Sequence, residues 1–175
     1  MQTSFNVTLD IHAIPLFPCT ADNIVISAAH CLDSADSVEV TAGAHDRTVA
    51  EPEQQIRVST DFTVHEDWMP FAIDNDISMI FLDEPFEFDD NVNSIARAAE
   101  EPAVGADVTV TGWGKTCDFG CGVNDVLMTV VCPVVDDQEA ADYYGDGRDY
   151  AHFICISAEG GHGSCNVSKE MNFLK

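Results

Sequence analysis

The chain has 175 residues, with 31 Asp and Glu against 7 Lys and Arg and a formal net charge of −24. That charge excludes nucleic acid and anionic membrane as partners, because both require a cationic surface. Otherwise it reads as a solvated surface that favours solubility. Hydrophobic residues make up 46% of the chain, which argues against global disorder and suffices for one sizeable domain or two small packed halves. Seven cysteines suit an oxidising compartment and a disulfide framework, and the odd number leaves at least one unpaired within the chain. No stretch is long and apolar enough to span a bilayer. The opening residues 1–10 lack the basic and apolar regions of a signal peptide.

In chain order, residues 7–14 alternate imperfectly and predict a strand. Asn23-Ile24-Val25-Ile26-Ser27 is a compact β-branched run, followed by a helical turn at 28–32. Residues 37–43 alternate cleanly, with Val38 and Val40 on one face. Residues 55–59 alternate too. The run 77–82 is almost continuously apolar, as expected of a buried strand. A segment at 82–105, carrying Pro85, Pro102 and many carboxylates, is expected to cross between two β units. Residues 107–114 predict a strand ending in glycines, and residues 127–135 another. Asp136 to Tyr144 predicts a helix with acidic residues in its first turn. Short strands at this spacing indicate an all-β sandwich or barrel pair.

Two segments carry candidate chemistry. In Val25-Ile26-Ser27-Ala28-Ala29-His30-Cys31, a buried strand leads through two small residues to an imidazole beside a cysteine. In Asp74-Asn75-Asp76-Ile77, a carboxylate precedes an apolar strand, where burial obliges it to be hydrogen-bonded. Alone, His30 reads as a structural histidine and Asp76 as part of a solvated turn.

Together, in this order and spacing, the two segments resemble the histidine and aspartate boxes of trypsin/chymotrypsin-like serine proteases (peptidase S1). Gly112-Trp113-Gly114 resembles the turn that opens that family's second barrel. Ala42-Gly43-Ala44-His45-Asp46, Val64-His65-Glu66-Asp67-Trp68, Ile154-Cys155-Ile156 and the run 160–166 are similar to the brachyurin, or crab-collagenase-like, branch. The resemblance covers about residues 5–166. It implies one peptidase domain over 1–175 with an all-β, double antiparallel barrel fold. The first barrel, near complete, would occupy about 1–96 with the crossing segment, and an incomplete second barrel about 97–175. The barrels would pack face to face with the His30–Asp76 pair in the cleft. The resemblance further implies an extracellular protein that acts on protein or peptide substrates without a cofactor. His30 would be general base and then acid, and Asp76 would orient it.

The chain departs from the family after Cys165. Where the family has Gly-Asp-Ser-Gly-Gly, this sequence reads Val167-Ser168-Lys169-Glu170-Met171. The nucleophile position falls on Lys169, and Ser168 is one residue away without a Gly-rich turn. The oxyanion hole belongs to that same turn, so the chain is expected to be inactive and to be a truncated copy. The family's Ile-Val-Gly-Gly start is also missing. The resemblance implies a Cys19–Cys31 disulfide and places Gly163 at the base of the substrate pocket, against a simple Arg/Lys preference. Cys165 would pair beyond the end of the chain, and the partner position of Cys155 holds no cysteine. Cys117, Cys121 and Cys132 match no family position. A Cys117–Cys121 bridge or a metal site there stays open, although no second ligand pair lies at zinc-binding spacing. Glu51 and Glu53 fall where some family members hold Ca²⁺, but they read as a solvated loop. No metal site is expected. Three outcomes compete: a fragment of an active secreted digestive-type protease, a non-catalytic pseudoprotease that binds partners, and a chain that cannot fold stably.

Overall fold

The computed structural model describes residues 4–8, 21–72, 74–96, 98–115, 122–145, 149–150 and 153–157. The chain divides into two units, Met1–Arg97 and Ala98–Lys175. The first holds β1 (Ser4–Thr8), β2 (Ile24–Ser27), α1 (Ala29–Leu32), β3 (Ser37–Ala42), β4 (Gln55–Ser59), β5 (Asp61–Val64) and β6 (Ser78–Phe81). The second holds β7 (Asp107–Gly112), β8 (Met128–Pro133) and α2 (Asp137–Tyr144).

The clean alternation of β3 buries Val38, Val40 and Ala42 completely and leaves the intervening residues half-buried. β3 is the centre of a sheet ordered β1-β3-β4, and β6 is the centre of a second ordered β2-β6-β5. Only Thr60 separates β4 from β5, so the chain turns a corner from one sheet into the other. At that corner the buried Ser59 hydroxyl donates to the Phe81 carbonyl (2.6 Å) and accepts from the Asp61 N–H (3.0 Å). The inner faces meet in one core of Val25, Leu32, Val38, Val40, Ala42, Ile80, Leu82, Phe86 and Val92. Each of its larger side chains contributes about 1.5–3 kcal/mol on burial. The result is an open barrel of two joined three-stranded sheets.

Three details differ from the sequence expectations. The first strand lies at Ser4–Thr8 and pairs parallel with β3, whereas every other named strand pair is antiparallel. A parallel neighbour needs a long crossover, and residues 9–36, which include β2 and α1, supply one. β5 was not expected, although Phe62 and Val64 alternate with Asp61 and Thr63. The run 77–82 is buried on one face only: Ile80 is fully buried and Met79 is 41% exposed.

Two devices complete this unit. Gly43 has φ 72°, and a Cβ there would meet the Glu53 carbonyl oxygen at 2.8 Å and Val92 at 3.1 Å. The position therefore needs both the left-handed freedom and the small size of glycine. On β4, an edge strand, Arg57 donates to the Pro85 carbonyl through Nη2 (2.9 Å) and to the Glu84 carbonyl through Nε (3.1 Å). Its guanidinium also lies 5.3 Å from the Phe86 ring centroid. Gln55 exchanges two hydrogen bonds with the Glu87 backbone. Side chains on the face of β4 that also carries Ser59 thus tie down the 84–87 segment.

In the second unit β7 and β8 form a two-stranded antiparallel ribbon, and Val110, Cys132, Val134, Ala140, Tyr150 and Phe153 are buried. Asp136, expected as the first helical residue, lies just before α2 instead and caps it by accepting the Glu139 N–H at 2.7 Å. Among the described residues no helix is long and apolar enough to cross a membrane.

Candidate active site

β2 and β6 run antiparallel with Ser27 opposite Ser78. Carried past the strand ends, that register brings the residues after Ser27 alongside those before Ser78. Ala28 is extended and leads into α1, but its methyl group cannot cap a helix. Asp76 does so from across the sheet: its Oδ1 accepts the backbone N–H of His30 at 2.8 Å. Its Oδ2 lies 2.7 Å from Nδ1 of the same residue's ring. One carboxylate therefore holds both the backbone and the side chain of His30.

The two partners differ in burial. The Asp76 side chain is 3% exposed and that of His30 is 62% exposed. A carboxylate accepts and does not donate, so Asp76 keeps the Nδ1 proton in place. Proton exchange with anything else falls to Nε2. The hydrogen bond to Asp76 is the largest cause of a His30 pKa raised from 6.5 to about 10, with Cys31 adding to it and burial opposing it. Cys31 acts in this sense only as a thiolate, so its share disappears when the sulfur is protonated or bridged. The Asp76 share stays.

The neighbours of the pair are also bonded. Asn75 adopts the left-handed conformation, with φ 56°. Its side-chain amide donates to the Asp67 carbonyl at 3.1 Å. The Ser78 hydroxyl donates to the Ala28 carbonyl at 2.9 Å. Trp68 Nε1 donates to Asp33, the C-cap of α1, at 3.2 Å. None of these three carries a role in the sequence reading. For Ser78 the signal was a hydroxyl inside an apolar run. Asn75 offered a residue type that tolerates positive φ.

The other expected positions fare differently. Cys19, Gly163, Cys165, Ser168 and Lys169 lie outside the described residues, as do Cys117 and Cys121. Cys31 carries a thiol in this structure. Glu51 turns inward on its own loop, accepting the N–H groups of His45 (2.6 Å) and Asp46 (3.0 Å). Those bonds hold its carboxyl below the usual carboxylate range.

The family profile described as Trypsin matches residues 19–167, and both His30 and Asp76 fall inside the match. The chain belongs to the trypsin family. Brachyurin of Leptuca pugilator is 39% identical over 145 residues, covering 81% of this trypsin-family chain and 62% of that protein. Trypsin-1 of Astacus astacus is 34% identical over 150 residues, covering 82% of this chain and 63% of its own length. A solved structure titled "Structure of GrC" superposes with a TM-score of 0.70 at 29% identity, covering 78% of this chain and 60% of that one. The trypsin-like fold and the likeness to the brachyurin branch both agree with the sequence motifs. The chain spans less than two thirds of the length of these relatives.

Proposed function

We propose that His30 and Asp76 are the acid–base half of a serine-endopeptidase site, and that this chain does not itself cleave peptide bonds. The observation that carries the first part is the double grip of the buried Asp76 on His30, through the backbone N–H and Nδ1. Such a grip orients the imidazole, selects the tautomer with a lone pair on Nε2 and stabilises the imidazolium once a proton is taken. Support for the second part comes from the sequence: Val167-Ser168-Lys169 stands where the family has Gly-Asp-Ser. With that turn replaced, both the nucleophile and the backbone donors for an oxyanion are missing from these residues.

The hydrogen bond to Asp76 also raises the pKa of His30, which favours the imidazolium that general-base action would produce. A Cys19–Cys31 disulfide would remove the Cys31 contribution and bring His30 closer to the range of a working base. In this reading Gly163 floors the substrate pocket, the whole chain is one peptidase-like domain, and the ligand is a protein or peptide. The protein acts outside the cell, as the cysteine count suits, without nucleic acid, membrane or cofactor. The chain would then serve as a non-catalytic binding module.

A second reading is favoured by the length comparison, in which the chain covers 62% of Brachyurin: the sequence is a fragment of an active secreted digestive-type protease. Turnover of fluorescein-labelled casein by the purified chain, beside its His30→Ala variant, tests the proposal. Equal background release from both is expected. Release that depends on His30 would show a working nucleophile within these residues and overturn the claim of inactivity.

A further inference from the structure

We propose that Asn75 and Ser78 are the positioning residues of the His30–Asp76 pair, Asn75 aiming the carboxylate and Ser78 fixing the start of the segment that carries the imidazole. This deepens the functional reading above and rests on it.

The β2–β6 register sets the geometry around the pair. The ladder ends at Ser27 opposite Ser78, and the next residues leave regular pairing. The Ile77 carbonyl accepts from the His65 N–H at 3.0 Å, and the Ile77 N–H donates to the Asn75 carbonyl at 2.8 Å. The backbone of Ile77 is therefore committed to His65, just past β5, and to a tight turn centred on Asp76. Neither of these bonds holds the segment carrying His30. The Ser78 hydroxyl makes the connection by donating to the Ala28 carbonyl at 2.9 Å. Ser78 is 2% exposed, so water cannot take over this bond. It fixes Ala28 two residues before His30, and Ser78 itself stands two residues after Asp76.

On the other side of Asp76 the chain must turn sharply to aim a side chain at α1. It does so at Asn75, the one described non-glycine residue with positive φ. Asparagine tolerates that region and a β-branched residue does not. The turn is braced by the Asn75 amide on the Asp67 carbonyl (3.1 Å) and by the Asp74 carboxylate on the Asn75 N–H (3.1 Å). A strained residue next to a functional carboxylate, held by bonds on both sides, is a device for aiming it.

Asp76 and Cys31 are the groups that set the titration of His30. The test therefore reads the His30 imidazole by NMR across pH, with thermal melting of each variant as a check on folding. The chains compared are wild type, Asn75→Val, Asn75→Gly and Ser78→Ala. Asn75→Val and Ser78→Ala are expected to lower the His30 midpoint by about one pH unit or more, as loss of a charge-assisted hydrogen bond does. Asn75→Gly, which keeps the left-handed turn without the side chain, is expected to hold the midpoint near wild type. If Asn75→Val does not fold, Asn75→Ala, which also disfavours the left-handed turn, takes its place with the same expected fall, and Ser78→Ala decides the other half. A raised wild-type midpoint that folded Asn75→Val and Ser78→Ala both leave unchanged overturns the inference. A wild-type midpoint at the ordinary histidine value removes the paired state itself, and with it both the functional reading and this inference.

Discussion

At the scale of single residues, the asymmetry between a buried Asp76 and an exposed His30 governs what each substitution does. Removing the imidazole takes the Nδ1 donor from the buried Asp76 carboxylate while the bond from the His30 N–H stays, and the loss of such a bond costs about 1–3 kcal/mol. The pair also ties stability to pH. The folded-state pKa of His30 lies above its unfolded value, so the stabilisation is complete below 6.5 and is lost as pH rises through about 10. Melting temperatures measured from neutral to alkaline pH should fall across that window, and His30→Gln should flatten the fall. Because His30 is 62% exposed, solvent screens the interaction, and the fall should be smaller than the pKa displacement alone implies. Both members of the pair were readable as residue types placed at strand ends. Their contact was not, because neither periodicity nor spacing states which strands are neighbours; the family likeness supplied that.

At the scale of elements, most strands followed from alternation, since one buried face imposes a period of two. β3 shows this most clearly, with Val38, Val40 and Ala42 inside. β5 was missed because it is only four residues long and leans on β6 for its pairing. The parallel partner of β3 was missed because strand direction is set by a long connection and leaves no local pattern. Gly43 marks a place where backbone conformation and packing coincide. Gly43→Ala should destabilise the first unit by about 1–3 kcal/mol, read from urea unfolding, as strain at a left-handed position plus overpacking would give. Arg57 grips two carbonyls and an aromatic face at once. Lysine lacks that planar fork, so Arg57→Lys should lose nearly as much stability in the same unfolding measurement as Arg57→Ala. Full retention by lysine would show that charge alone holds the 84–87 segment.

At the scale of the whole molecule, the net charge of −24 sets the background. Repulsion among carboxylates opposes the compact state and is screened by salt. Raising sodium chloride from about 0.01 M to about 0.5 M, which shortens the Debye length from about 30 Å to a few ångströms, should raise the melting temperature. A fall would mean that attractive pairs dominate the surface. Composition made the charge readable from the outset and the spacing of short alternating strands the β class, whereas the open form of the two sheets needed the structure. In the proposed function the chain carries an aligned histidine and aspartate without a working serine. Treatment with a fluorophosphonate probe, followed by intact mass and peptide mapping, tests this directly. No adduct that depends on His30 is expected. An adduct on Ser168 or any other serine that disappears in His30→Ala would contradict it.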